Sequence, residues 1–220
     1  MADKSRSLTL RQLCAEAKSF AAEESRHLEP ALFGVTDGKA VGTYFEQKFI
    51  NHLRGKYSFH QGSAAKGIDF PKLQVDIKVT SIKQPQSSCP FKSARQKVYG
   101  LGYSLLVFAY DKKDDQRRKA GRLDVKHVVF VKQERTADYQ TTTGLLKLLD
   151  NNANLDDVMT FLLERHLPLD DIQAGQLAEE ILQSPPVVGF LTISNALQWR
   201  LQYKRVIAEA DHVTGVKRVL

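Results

Sequence analysis

The sequence predicts an α/β protein in which a mixed central sheet is flanked by helices and followed by a helical C-terminal extension. Two nearly continuous apolar runs, Ser104 to Tyr110 and Val125 to Val131, are typical of central strands covered on both faces. Helical periodicity precedes these runs and takes over again from Thr143 onward. No linker or low-complexity segment divides the 220 residues, so we expect one domain, with a core at about 35–135 and an extension at about 140–220.

Composition and charge narrow the function classes. The hydrophobic fraction is 42%, and no apolar run approaches the roughly 18 residues that span a membrane. The N-terminus is polar and lacks the apolar segment of a secretion signal, so we expect a cytoplasmic protein. The two cysteines, Cys14 and Cys89, lack the paired spacing of a zinc site or a disulfide framework. The net charge of +7 favours an anionic partner.

The first quarter of the chain predicts two amphipathic helices. Thr9 and Gln12 have the spacing of a capping box, and the apolar residues that follow predict a helix over 9–22. After a loop marked by proline and glycine, a broad apolar face predicts a second helix over 41–53, with Glu46 on its flank. The stretch KYSFHQ that follows has the composition of a short strand.

In the stretch GIDFPKLQVDIKVT, residues 67–80, the alternation of charged and apolar residues is hard to explain by packing alone. Side chains on a strand alternate between faces, so Asp76 and Lys78 face one way while the apolar residues between and beside them face the core. A Pro-Lys turn precedes this strand and is expected to join it to a short partner strand that brings Asp69 beside Asp76. Two carboxylates and an ammonium group would then converge, an arrangement that favours a divalent cation.

The second half of the chain predicts mainly helices. A short helix over 93–99 ends at Gly100, and the charged stretch 111–122 is interpreted as a solvated hairpin connection rather than a phosphate contact. From Thr143 three helical patterns follow, and Asn154 and Asp170 are the expected N-caps of the last two. We also expect a strand over about 187–192 and a final helix from about 194 to 210.

Two groups of side chains are candidates for contact with nucleic acid. The basic residues after the predicted hairpin would meet phosphates; they are Lys83, Lys92 and Arg95. The final predicted helix would carry a polar stripe, which includes Gln198, Gln202 and Arg205. Amide and guanidinium groups suit the reading of adenine and guanine edges, although an ordinary solvent-exposed helix face has the same pattern.

The order of these elements resembles that of the PD-(D/E)XK nuclease superfamily, over about residues 40–131. Ile68-Asp69 stands for the PD dipeptide, with isoleucine in place of proline, and Asp76-Ile77-Lys78 stands for the (D/E)XK tripeptide. The resemblance implies a restriction-endonuclease-like core. It also implies that Asp69, Asp76 and the Ile77 carbonyl bind Mg²⁺ and that Lys78 serves the attacking water.

The resemblance extends to the predicted helix before the hairpin. A glutamate on this helix often faces the active site in the superfamily, so Glu46 is expected to hold a second cation or its waters. A lysine such as Lys48 could instead pair with Glu46 and make it structural. The histidines are not expected to bind a metal, because their spacing is not that of metal ligands.

The chain looks most like a type II restriction endonuclease, because it is small, has one predicted domain, is basic and lacks a Walker A motif. Such an enzyme would cleave double-stranded DNA at a specific sequence with Mg²⁺. A repair or recombination nuclease of the same fold is the first alternative, and a DNA-binding protein without catalysis is the second. The oligomeric state is left open between a monomer and a homodimer.

Overall fold

The computed structural model describes residues 6–62, 67–89, 92–194 and 199–220. Its central sheet has the strand order β1-β3-β4-β7, and a smaller sheet has the order β2-β6-β5. The strands are β1 (Val75–Ser81), β2 (Gln86–Cys89), β3 (Ser104–Asp115), β4 (Ala120–Val131), β5 (Thr192–Ile193), β6 (Trp199–Gln202) and β7 (Val216–Arg218). β1 is parallel to β3, whereas β4 is antiparallel to both β3 and β7, so the central sheet is mixed, as predicted.

The helices are α1 (Leu10–Glu24), α2 (Gly38–Arg54), α3 (Arg95–Tyr99), α4 (Tyr139–Asp150), α5 (Leu155–Glu164), α6 (Asp171–Gln183) and α7 (Lys204–Ala208). The five longer helices begin at residues whose side chains cap them, whereas the short helices α3 and α7 have no side-chain cap among the described residues. Thr9 forms the predicted capping box with Gln12, and Asn154 and Asp170 cap α5 and α6 in the same way. None of these helices is both long and apolar enough to cross a membrane.

One face of the central sheet packs against α1 and α2 through aromatic side chains. The rings of Phe45 and Phe49 lie with their centroids 5.0 and 5.3 Å from that of Phe108 on β3, and Phe20 of α1 packs against both. Phe45 and Phe49 are four residues apart and therefore lie on the same side of α2. This packing fixes the rotation of α2 about its axis and, with it, the direction in which Glu46 projects.

The opposite face of the central sheet is covered by the smaller sheet. Trp199 and Leu201 of β6 are buried in one apolar cluster with Val107 of β3 and Val129 of β4. The sheet is therefore covered on both faces, which is the physical reason that its strands have nearly continuous apolar sequences. Helices α3 to α6 pack around a further apolar cluster of their own.

The prediction of a final helix over 194–210 is wrong. Residues 199–202 form strand β6, and only Lys204–Ala208 is helical in the described part of that range. In the segment Trp199–Gln202 every second side chain is buried, a period of two that fits a strand, whereas Trp199, Tyr203 and Val206 have the spacing of an apolar helix face. Pairing with β2 decided between them, because it supplies the backbone hydrogen bonds. Residues 195–198 lie outside the described ranges.

Other element boundaries also differ from prediction. Within residues 56–61 only Ser58 forms a bridge, with Ser7, and the predicted strand over 187–192 is reduced to Thr192–Ile193. The charged stretch 111–122 is a hairpin, as predicted, but most of it is strand, because β3 and β4 pair as far as Asp115 and Ala120. The long helices of the C-terminal region end at Gln183; afterwards the described part of the chain forms β5, β6, the short helix α7 and β7, which joins the central sheet.

Candidate active site

A tight turn places Asp69 against the edge of β1. Phe70 and Val75 form one antiparallel bridge around a four-residue turn, so of the two strands that we predicted in this described segment only the second, β1, forms. The backbone of Gln74 in this turn has a φ of 53°, in the left-handed region. The turn brings Asp69 beside β1, and its Oδ2 accepts a hydrogen bond from the backbone N–H of Ile77 at 2.8 Å.

Gly62 holds the segment that carries Asp69 from the other side. Its N–H donates a hydrogen bond to the backbone carbonyl of Asp69 at 2.9 Å. A Cβ atom at position 62 would lie 1.8 Å from the carbonyl oxygen of Ile68, a distance that no side chain allows. Only glycine permits this approach of the two backbones, so the position of Asp69 depends on the residue at position 62.

The four predicted catalytic side chains converge at this edge. Asp76 on β1 is 3% exposed, and Nζ of Lys78 lies 2.7 Å from its Oδ2. The carboxyl group of Asp69 lies close enough to those of Asp76 and of Glu46 on α2 to shift their pKa values. The structure therefore brings together Glu46, Asp69, Asp76 and Lys78, from one helix, one turn and one strand.

Burial makes this cluster electrostatically unusual. Desolvation raises the pKa of Glu46 and of Asp69, and it raises the pKa of Asp76 to about 7. Burial by itself would lower the pKa of Lys78. The adjacent Asp76 has the larger, opposite effect, so the pKa of Lys78 is raised. When all four groups are ionised, three carboxylates face one ammonium group. The cluster therefore carries an excess of negative charge in a poorly hydrated place, and a bound cation would relieve it.

The donor atoms fit a hard divalent cation. Oδ2 of Asp76 is buried and forms an ion pair with Nζ of Lys78 at 2.7 Å, so a cation bound at this oxygen would share it with the ammonium group. The N–H and C=O groups of one strand residue point to the same side, so the Ile77 carbonyl faces the side of β1 on which Asp69 lies. Within the described ranges, no three His, Cys, Asp or Glu side chains are placed to hold one metal ion together. Two carboxylates and one carbonyl match Mg²⁺, which keeps several waters.

The cluster opens into a groove of about 800 Å³. One wall is the N-terminal part of α2, the floor is β1, and the other wall is β2 together with one residue of β6. Glu46 and Lys78 lie in the groove, and three further basic side chains line it: Lys39, Lys83 and Arg200. The groove therefore presents positive charge on both sides of the carboxylates, as a site for a phosphodiester would require.

Comparison with known proteins identifies the family. Residues 7–218 match the sequence profile described as type II restriction enzyme NspV. The chain is also 58% identical over 212 residues to the type II restriction enzyme NspV from Nostoc sp., which covers 96% of each protein. The chain belongs to the NspV family of type II restriction enzymes. No solved structure matches the NspV-family chain at a significant level.

Membership in the NspV family confirms the predicted functional class. A type II restriction enzyme is a sequence-specific endonuclease, which is the activity that the sequence predicted ahead of repair and of DNA binding alone. The mixed sheet flanked by helices is confirmed as well. The likeness to the PD-(D/E)XK superfamily remains a resemblance carried by the residues of the cluster.

The predicted DNA-binding residues of this NspV-family chain do not form one surface. Lys83 lines the active-site groove, whereas Lys92 and Arg95 line a separate pocket beside α6. There Nε of Arg95 lies 2.9 Å from Oε2 of Glu180, an ion pair that fastens α3 to α6. The charge of Arg95 is therefore compensated within the protein.

The polar stripe of the predicted final helix does not exist as a helix face. Gln202 is exposed on β6. The guanidinium of Arg205 on α7 lies 3.6 Å from the centroid of the Tyr139 ring, and its Nε is buried. Gln198 lies outside the described residues. The sequence analysis missed Arg200, although the alternation of apolar and polar residues in WRLQ was a signal for a strand that would expose it.

Proposed function

We propose that the chain is a Mg²⁺-dependent restriction endonuclease that hydrolyses double-stranded DNA at the cluster of Glu46, Asp69, Asp76 and Lys78. The convergence of three carboxyl groups and one lysine on the edge of β1, in a groove with basic walls, carries this proposal. The type II activity of the family supports it. Mg²⁺, when bound, supplies charge neutralisation at the phosphate and activation of a water.

Asp69 and Asp76 would hold the cation together with the Ile77 carbonyl. The hydrogen bond from the Ile77 N–H occupies one carboxylate oxygen of Asp69 and fixes its orientation. This bond makes the site preorganised, because the first carboxylate is tied to the strand that carries the second. Glu46 lies next to Asp69, where it would hold a second cation or position the waters of the first.

Lys78 would act as a positive charge and hydrogen-bond donor rather than as a base. Its pKa is raised by Asp76 despite burial, so the ammonium form persists at neutral pH. A protonated lysine cannot accept a proton from water. It can orient the attacking water and stabilise the negative charge that develops on the phosphate in the transition state.

The basic walls of the groove would bind the phosphates beside the scissile bond. Lys39 and Lys83 line these walls. Lys92 would extend the contact along the DNA outside the groove, and Arg95 would join it by exchanging its ion pair with Glu180 for one with a phosphate. In this proposal the region at about 35–135 performs the chemistry and the region at about 140–220 grips the duplex. A homodimer would place one such site on each DNA strand, and the cytoplasm is the compartment that holds the substrate.

The experiment is cleavage of a defined plasmid, with Mg²⁺ and with EDTA in its place. We expect discrete fragments that appear only with the cation, and sequencing of their ends gives the recognition sequence and the cut positions. Nicking that depends on DNA structure would show a repair nuclease instead. Binding without any cleavage would show a protein that has kept the fold and lost the activity. Light scattering of the same sample, with and without DNA, measures the oligomeric state.

A further inference from the structure

The smaller sheet presents a polar outer face beside the active site. In the antiparallel pair of β2 and β6, Gln86 is opposite Gln202 and Ser88 is opposite Arg200. Because strand side chains alternate between faces, these four project to the same side of the sheet. We call them the polar face. Arg200, Gln202 and Ser88 are exposed, and Gln86 is half-buried.

The inner side of the same two strands is firmly anchored. Trp199 and Leu201 are buried in the apolar cluster under the central sheet. The hydroxyl group of Ser87 is hydrogen-bonded to that of Tyr203, which is fully buried. The polar face is therefore carried by a rigid element rather than by a loop. A rigid element can hold side chains to the precision that base recognition needs.

The polar face is also connected directly to the catalytic strand. The hydroxyl of Thr80 on β1 donates a hydrogen bond to the carbonyl of Gln86 and accepts one from its N–H, both at 3.0 Å. Thr80 lies two residues after Lys78. Gln86, Ser88 and Arg200 line the same groove as the catalytic lysine. A duplex whose phosphate lies at Lys78 would therefore pass over the polar face.

The chemistry of the polar face suits base edges better than phosphates. It contains two amides, one hydroxyl and one guanidinium, whereas phosphate contacts are dominated by lysine and arginine charge. The guanidinium of Arg200 forms no ion pair with any described residue. Arginine pairs in a bidentate manner with guanine, and glutamine does so with adenine. Two antiparallel strands are narrow enough to enter the major groove.

We propose that the polar face, Gln86, Ser88, Arg200 and Gln202, reads the base pairs of the recognition sequence through the major groove. Arg200 is the principal reader, and it recognises a guanine. The inference rests on the proposed function, since it takes DNA as the molecule in the groove. The predicted reading surface on a helix is thereby replaced by one on a pair of strands. Three of its residues, Gln86, Ser88 and Arg200, were not predicted to bind DNA.

The test compares Arg200→Ala with Lys83→Ala on a library of duplexes that carry random base pairs. We expect Arg200→Ala to slow cleavage of the preferred site by roughly 10- to 100-fold and to relax the preference at one base pair. Lys83→Ala should slow all sequences about equally and reduce the dependence on salt by about one unit of slope. Arg118→Ala, an exposed arginine in the β3–β4 turn, serves as the control and should change neither quantity.

Binding measured in EDTA on the same library separates this inference from the proposed function. A wild-type protein that selects a sequence in EDTA but does not cut it when Mg²⁺ is added, and loses the selection in Arg200→Ala, would uphold the reading surface and overturn the catalytic proposal. If the wild-type protein cuts one sequence and Arg200→Ala keeps the same base preference at every position of that sequence, the reading surface is overturned and the catalytic proposal stands. Melting temperatures of all variants are recorded, and Arg200→Lys tests whether charge without the planar group suffices.

Discussion

The carboxylate of Asp69 accepts a hydrogen bond from the backbone N–H of Ile77, eight residues later, at 2.8 Å. The contact closes across the turn between Phe70 and Val75 and ties the first acidic residue of the site to the strand that carries the second. Backbone geometry therefore controls the distance between the carboxyl groups of Asp69 and Asp76. Substitutions that move this backbone should affect catalysis as strongly as substitutions of the carboxyl groups.

Lys78→Ala should abolish cleavage and also reduce stability at neutral pH. The side chain of Lys78 is only 20% exposed and lies 2.7 Å from Asp76, so its removal leaves a buried carboxylate without its positive partner. Plasmid cleavage and melting temperature measure the two effects. Lys72→Ala, an exposed lysine of the turn, is the matched control. Cleavage at the wild-type rate by Lys78→Ala would exclude a catalytic role for this lysine.

Asp76→Asn should stabilise the cation-free protein at alkaline pH. The pKa of this carboxyl is raised from 3.8 to about 7 in the folded state, so the folded protein binds a proton more readily than the unfolded one. Its contribution to the free energy of unfolding therefore becomes less favourable as pH rises between these values. In EDTA, wild-type protein should lose more stability between pH 5 and pH 8 than Asp76→Asn does, by roughly one to a few kcal/mol.

The same pair of proteins tests the cation. Mg²⁺ at pH 8 should raise the melting temperature of the wild type and leave that of Asp76→Asn nearly unchanged, because binding stabilises only the protein that has the site. Asp156→Asn, an exposed carboxyl of α5, is the control and should respond as the wild type does. An equal response of Asp76→Asn to Mg²⁺ would place the cation elsewhere.

Glu46→Gln should lower the cleavage rate by at least about tenfold, with partial recovery at raised Mg²⁺ or with Mn²⁺. Glutamine keeps the shape and removes a charge that burial disfavours, so the melting temperature should not fall. The alternative was a structural ion pair with Lys48, but Nζ of Lys48 lies 2.8 Å from Glu24. A fully active variant with a lowered melting temperature would make Glu46 a structural residue. Glu23→Gln on the exposed side of α1 is the control.

Gly62→Ala should impair cleavage although position 62 carries no reactive group. The added Cβ would meet the Ile68 carbonyl oxygen at 1.8 Å and force the segment that carries Asp69 away from its place. We expect a reduced rate and weaker activation by Mg²⁺, with a far-ultraviolet circular dichroism spectrum like that of the wild type. Gly175→Ala in α6 meets its nearest neighbour at 3.8 Å and should be active and at least as stable. A fully active Gly62→Ala would contradict the proposed support of Asp69.

The sequence by itself determined the elements that local interactions specify. The helix starts at Thr9, Asn154 and Asp170 were predicted because a cap and its partner are three residues apart in the chain. The alternation that places Asp76 and Lys78 on one face of β1 follows from the geometry of any strand. The family resemblance could then assign roles to four residues without knowledge of the fold, because three of them lie close together in the chain, at positions 69–78, and only Glu46 is distant.

Only the tertiary structure decided the features that depend on partners distant in the chain. Trp199 fits a helical spacing with Tyr203 and Val206 and a strand alternation with Leu201, and pairing with β2, more than 100 residues earlier, selected the strand. That choice exposes Arg200 toward the groove and moves Gln202 and Arg205 onto different elements. The burial that raises the pKa of Asp76 is likewise a consequence of packing, since desolvation depends on neighbours that the local sequence does not specify.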